Sequence, residues 1–206
     1  GAAIPLPTTT TAPSPARGEK KGPEGTTADP PGAGGHAGRL SPFALVQEIR
    51  AWWDGPLILS GAIATGRALL AAQAMGADLG YIGSPFIATA EANAEAAYKQ
   101  AIVDGRADDI VYSSLFTGVH GNYLKASIVA AGLDPANLPE GDISSMDFAT
   151  GASKSKAWRD IWGSGQGIGA IRSVRPAGDY IASLTKDYWM AATELAKKAR
   201  LRPLQS

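Results

Sequence analysis

The sequence predicts an α/β fold built on parallel strands, and three observations carry that reading. Two short apolar runs, 57–59 and 79–82, are separated by a stretch at helical spacing, Gly66–Met75. Small residues follow each run: Ser60-Gly61-Ala62 after the first and Gly83-Ser84 after the second. Short apolar strands joined by one helix form a parallel βαβ unit. Its two turns then fall side by side at the C-terminal ends of the strands. Uncovered backbone N–H groups there suit an anion such as phosphate. Either turn alone is equally an ordinary βα turn that needs glycine for its conformation. Their pairing favours phosphate.

Each element follows in order. Residues 1–35 are dominated by Pro, Gly, Thr and Ala, with threonines at 8–11 and the pair Pro30-Pro31. Such a composition cannot bury enough apolar area to offset its ordering entropy, so the segment is expected to be disordered. It reads as a linker, because no spaced PxxP repeat supports recognition. Ser41 and Pro42 then open a helix in which Phe43, Val46, Ile49 and Trp53 recur at helical spacing, up to the turn Asp54-Gly55. Trp52 and Trp53 are expected to pack. A strand over 56–60, the helix Gly66–Met75 stopped by Gly76, and a strand over 79–82 come next. Thr89 is expected to cap a helix over 90–104, followed by a short strand at 110–112. An apolar helix is expected over 122–131, a loop over 133–150 and a short helix over 154–162. The sequence GSGQGIG at 163–169 reads as a glycine-rich loop, and 179–198 as a final amphipathic helix.

The chain has 206 residues, 45% of them hydrophobic, enough for one domain with a real core. Its formal net charge is zero, so no basic footprint argues for nucleic acid or an anionic membrane. It has no cysteine, which excludes disulfides, thiolate catalysis and cysteine-ligated metals. No apolar run approaches the roughly 20 residues of a membrane span. The first residues show no signal-peptide apolar region, and a cytoplasmic location is the expectation.

Several side chains could carry chemistry. His36 lies among Gly34, Gly35 and Gly38, where the backbone can approach a ligand closely. Its imidazole could serve as general acid or base, or be an exposed loop histidine. Gln166, between two glycines, offers both donor and acceptor. GSGQGIG follows a helix rather than a strand, so it is no dinucleotide fingerprint. His120 reads as a loop hydrogen-bonder. Tyr123 and Lys125 could meet an anionic substrate or simply start a solvated helix. The two histidines lack the spacing and acidic neighbours of a zinc site, and no metal is expected.

The motifs GAGGHAG, LILSGAIATGRALLAAQAMGADLGYIGSPFIAT and GSGQGIG together resemble the C-terminal half of the nitronate monooxygenase family, over roughly residues 32–188. The resemblance implies a TIM-type (β/α)8 barrel that binds FMN, present here in part, with residues 36–206 as its C-terminal strands and helices. It also implies a helical insertion over about 90–162. The implied activity is oxidation of alkyl nitronates by O2 through the flavin, giving a carbonyl compound and nitrite. It implies that His36 is the active-site histidine, with Gly34 and Gly35 against the flavin. Ser60, Gly61 and Ala62, and Tyr81, Ile82, Gly83 and Ser84, stand where the family contacts the FMN phosphate, and Gln166 near the flavin site.

Three departures from the family pattern accompany it. Ala62 replaces a glycine, which ordinary backbone torsions would accommodate. Tyr81 replaces a glutamine, and Ser84 replaces threonine while keeping a hydroxyl. A full barrel typically needs about 250 residues and eight strand–helix units, of which two are secure here, so the chain alone is expected to bind FMN weakly. Two other readings stay open: a flavin-dependent enoyl reductase of a related branch, and a barrel fragment without catalysis.

Overall fold

The computed structural model describes residues 8–9, 26–28, 32–140 and 160–199. Four strands, β1 (Thr8–Thr9), β2 (Thr26–Ala28), β4 (Leu57–Ser60) and β5 (Leu79–Tyr81), form an all-parallel sheet in the order β1-β2-β4-β5. The expected α/β unit is therefore present. Leu57 and Leu59 are buried because β4 is paired on both sides, with β2 and β5, and covered by α1 (Pro42–Arg50). Leu45, Val46 and Ile49 of α1 form the other half of that core, and Trp52 and Trp53 pack against it as expected.

The connecting helix α2 (Gly66–Met75) keeps its expected limits for physical reasons visible at both ends. The Thr65 hydroxyl accepts the Ala68 N–H (3.1 Å), and Gly76 closes the helix with φ +115°, a torsion that favours glycine. The final helix α6 (Ala177–Ala199) lies along α2. Asp187 accepts the Arg67 N–H (2.9 Å), Tyr188 donates to the Gln73 side chain (2.5 Å), and Arg67 pairs with Glu194 (2.6 Å). Helix and helix touch most closely at Gly66, where a Cβ would lie 2.1 Å from the Tyr188 nitrogen.

The segment over residues 1–35 departs from its expected disorder at β1 and β2. Both are strands: β2 is in register with β4 (Thr26 opposite Leu57, Ala28 opposite Leu59), and β1 pairs with β2 (Thr8 opposite Thr27). Pairing with a buried strand overrides a composition poor in apolar residues. The remaining residues up to 31 lie outside the described residues.

Residues 90–162, where the resemblance implies a helical insertion, hold strands as well as helices, and the strand expected over 110–112 is present at Ile110–Ser113. They contain α4 (Ala96–Asp104), β6 (Ile110–Ser113), β7 (Gly121–Leu124) and α5 (Lys125–Ala130). With β3 (Gly35–His36), β6 and β7 form an antiparallel sheet in the order β3-β7-β6. The helix expected over 122–131 is thus strand and then helix. All four residues of β7 are buried between its neighbours, and Asn122 donates to the Ala33 carbonyl (2.5 Å). That central strand position wins over helical spacing.

The helix expected over 90–104 starts later, at Ala96, and Thr89 does not cap it: the Thr89 hydroxyl donates to the Phe86 carbonyl (2.7 Å) and closes α3 (Ser84–Ile87) instead. The helix expected over 154–162 lies outside the described residues before 160. Residues Gln166–Ala170 form a 3₁₀ turn. Among the described residues no helix is long and apolar enough to cross a membrane.

Candidate functional site

Parallel pairing sets Ser60 opposite Tyr81, so the turns that follow β4 and β5 come out at the same height. Both turns open on one cavity of about 320 Å³. Of the residues singled out from the sequence, Gly34, Gly35, Ser60, Gly61, Ala62, Tyr81, Gly83 and Ser84 line it. Ile82 is half-buried and packs into the α1–β4 core instead. Gln166 is exposed, and the flanking Gly165 and Gly167 line the cavity in its place.

Backbone bonds tie three separate segments into this wall. The Gly32 carbonyl accepts the N–H groups of both Ala62 and Gln166, each at 3.0 Å. The Ser84 hydroxyl oxygen accepts the Gly165 N–H at 2.9 Å. Contact is so close that a Cβ on Gly165 would lie 2.5 Å from the Gly32 oxygen, and one on Gly34 2.9 Å from the Gly165 nitrogen. Gly61 takes φ +89°, with an added Cβ 2.5 Å from the Ala33 nitrogen. These glycines are fixed by backbone packing.

Gly35 and Gly83 differ. A Cβ on either meets nothing within 4 Å, yet both line the cavity. Their missing side chains leave open space, as a cradle for a ligand requires. Ala62 takes φ +55°, a left-handed torsion, so the ordinary torsions that would accommodate an alanine in place of glycine are not met. An alanine there carries a strain of about 1 kcal/mol that glycine would avoid. Serine, glycine and alanine thus make a turn more contorted than their sequence suggests.

His36 occupies β3 directly opposite Gly121 of β7. Its neighbour Gly35 is in the cavity wall, and the Ala37 N–H donates to the His120 carbonyl (3.1 Å). His120 stacks on Tyr112, ring centroids 4.9 Å apart. Tyr123 is buried, its hydroxyl 3.3 Å from that of Thr117. Lys125 begins α5 and lines a separate groove between α4 and α5.

The cavity has a second wall that sequence reasoning missed, made of Tyr98, Trp162, Ile87 and Ile161. Tyr98 and Trp162 stack with centroids 5.0 Å apart and planes 13° from parallel. The Tyr98 hydroxyl donates to the Gly163 carbonyl, which joins the aromatic wall to the glycine loop. Burial pushes the Tyr98 pKa up to about 12, so the phenol stays protonated and remains a donor at neutral pH. The nearest sequence signal was a tyrosine on the same helical turn as apolar residues, which reads as core.

A family model described as nitronate monooxygenase matches residues 1–187. The chain is 27% identical over 184 residues to a nitronate monooxygenase of Paraburkholderia phytofirmans, covering 81% of this chain and 50% of the relative. A nitronate monooxygenase of Pseudomonas aeruginosa is likewise 27% identical, over 75% of this chain and 48% of its own. The chain therefore spans about half the length of the curated relatives it matches.

Among solved structures, a FabK mutant from Thermotoga maritima superposes with TM-score 0.73 at 25% identity, over 94% of this chain and 61% of its own. A nitroalkane oxidase from Streptomyces ansochromogenes gives 0.71 at 25% identity, over 91% and 58%. With those neighbours, the parallel sheet and its helices are part of a TIM-type barrel.

Proposed function

This chain belongs to the nitronate monooxygenase family, and we propose that it supplies the phosphate-binding side of an FMN site in an enzyme that oxidises alkyl nitronates with O2. The observation that carries this reading is the pair of aligned turns after β4 and β5, which open on one cavity with glycines whose Cβ positions are empty. Phosphate at the ends of adjacent late strands is the common arrangement in barrels of this type.

The residues fit the group. The Ala62 N–H is committed to Gly32; in this reading the small residues Ser60 and Gly61 of the first turn leave room for the phosphate, and the Gly83 and Ser84 N–H groups and the Ser84 hydroxyl hydrogen of the second turn donate to it. Ser84 can donate because its oxygen already accepts from Gly165. The stacked pair Tyr98–Trp162, with Ile87 and Ile161, supplies an apolar flank that excludes water. When bound, the flavin would supply the redox chemistry by which O2 converts the nitronate into a carbonyl compound and nitrite. In this reading His36 orients the nitronate or holds the proton that its reaction exchanges. Gly34 and Gly35 let the backbone approach the flavin, while Gln166, exposed beside the lining residues Gly165 and Gly167, is the weakest member of the expected set.

The intact protein tests the reading directly. It is expected to purify with a flavin spectrum, which nitronate bleaches anaerobically without a nicotinamide and O2 restores. A colourless protein that takes up no FMN contradicts the proposal. A flavin-dependent enoyl reductase is the second reading, supported by the FabK superposition, which is as good as that of the nitroalkane oxidase. Rapid bleaching by NADPH, with none by nitronate, decides for it.

A further inference from the structure

A smaller pocket of about 100 Å³ shares the wall residues Ala64 and Pro85 with the main cavity. Its polar wall is Arg172, Ser173, Arg175 and Tyr180. We infer that this pocket binds a small oxyanion, a phosphate or a carboxylate, at a site separate from the glycine turns. The inference does not rest on the flavin reading.

Of its donors, Arg175 is held in place before a ligand arrives, while Arg172 and Ser173 lie exposed at the same pocket. Arg175 is half-buried, its Nη1 donates to the Ser183 hydroxyl (2.9 Å), and its guanidinium stands 5.2 Å from the Tyr180 ring centroid. That bond uses one of five N–H donors, leaving a flat fork of the kind that matches carboxylate and phosphate. A fixed fork loses little freedom on binding. Tyr180 is fixed in turn: its ring meets Phe86 edge-on at 5.0 Å, and its hydroxyl donates to the Ala64 carbonyl (3.2 Å). Burial first, against a smaller opposing effect of Arg175, pushes the Tyr180 pKa up to about 12, so the phenol adds no negative charge at neutral pH.

The nearby acidic groups define what holds the anion. Both carboxylate oxygens of Glu91 accept the Ala177 N–H, at 3.0 and 2.9 Å, and Asp179 lies in the first turn of α6. The start of that helix is therefore already capped, and the two arginines with Ser173 are the anion's partners. A single water needs about 10–15 Å³ of such space. The pocket is large enough for an ion of several heavy atoms.

Calorimetric titration of the intact protein with inorganic phosphate and with acetate tests this, alongside Arg172→Gln and Arg175→Gln. Saturable one-site binding of at least one anion is expected, weakened fivefold or more by each substitution. Tighter phosphate marks a phosphate ligand and tighter acetate a carboxylate one. Arg172 is exposed, so Arg172→Gln keeps the fold and the test even where loss of the Arg175–Tyr180 contact disturbs it. FMN affinity is expected to be unchanged in Arg172→Gln, so this site and the flavin site can fail independently. No saturable binding of either anion, or binding that Arg172→Gln leaves unchanged, overturns the inference.

Discussion

The glycine-turn wall and the aromatic wall of the cavity are stabilised in different ways. The first is almost entirely backbone: Gly32 accepts from Ala62 and Gln166, and Gly34, Gly61 and Gly165 approach their neighbours too closely for any Cβ. The second is side chain, with Tyr98 on α4 stacked on Trp162 and pinned to Gly163 by one hydrogen bond. A backbone wall tolerates almost no substitution where it is packed; where it faces the cavity, Gly83 at φ −114° has room for a small side chain, whereas Gly35 at φ +75° is kept to glycine by its torsion. A ring wall grades its response with the size of what is removed. The two meet at residues 163–165 and along α3, which carries Ser84 of one wall and Ile87 of the other, while Gly61 and Tyr98 lie on separate elements and can be perturbed separately.

The largest effect is expected at Gly61. Gly61→Ala forces a Cβ against the Ala33 nitrogen at φ +89° and should lower stability by about 2–3 kcal/mol. A drop of roughly 5–10 °C in unfolding midpoint checks it; an unchanged midpoint breaks the claim that this wall is packed backbone. Next comes Gly83→Ala, whose Cβ enters open space at φ −114°. Stability should be unchanged while FMN affinity falls about tenfold, near 1.4 kcal/mol. Equal loss at Gly61 and Gly83 in the melting experiment would erase the distinction between packed and cavity-facing glycines.

Tyr98→Phe keeps the ring and removes the bond to Gly163. It is expected to cost about 1 kcal/mol by urea unfolding and to loosen the 163–165 loop, seen as faster amide exchange there. Ala62→Gly relieves the left-handed torsion and should raise stability slightly, by a net of about 0.5 kcal/mol after the entropy glycine adds to the unfolded chain.

The last effect is electrostatic. Asp78 accepts the Leu57 N–H (2.8 Å) and pairs with Arg50 (2.7 Å), which together hold its carboxyl below the usual range. A lowered folded-state pKa contributes stability above the ordinary carboxylate pKa, lost as pH falls through the lower folded value. The side chain is 55% exposed, so screening keeps the gain under about 1 kcal/mol. Asp78→Asn should therefore flatten the decline in urea midpoint between neutral pH and about pH 3.

The backbone wall was legible in the sequence and the ring wall was not, for a physical reason. Glycine, serine and proline act locally: Gly76 stops α2 and the β4 and β5 turns sit where small residues cluster. Tyr98 and Trp162 are 64 positions apart, and only tertiary packing reveals that they stack. The same limit explains β7. Residues 122–131 carry helical spacing, yet Asn122 and Tyr123 are claimed by pairing with β3 and β6. Threonines 26 and 27 lie in a composition that reads as disordered and become strand because β4 pairs with them. Pro85 just inside α3 was a usable signal for that short helix.

The claim beneath all of this is that the turns after β4 and β5 grip the phosphate of the flavin. Comparing FMN with riboflavin, which lacks that phosphate, in fluorescence titrations of the intact protein tests it most directly. FMN binding at least a hundredfold tighter, with the advantage cut about tenfold by Gly83→Ala, is the expected result. Equal affinities for the two flavins, or an advantage that Gly83→Ala leaves untouched, would contradict it.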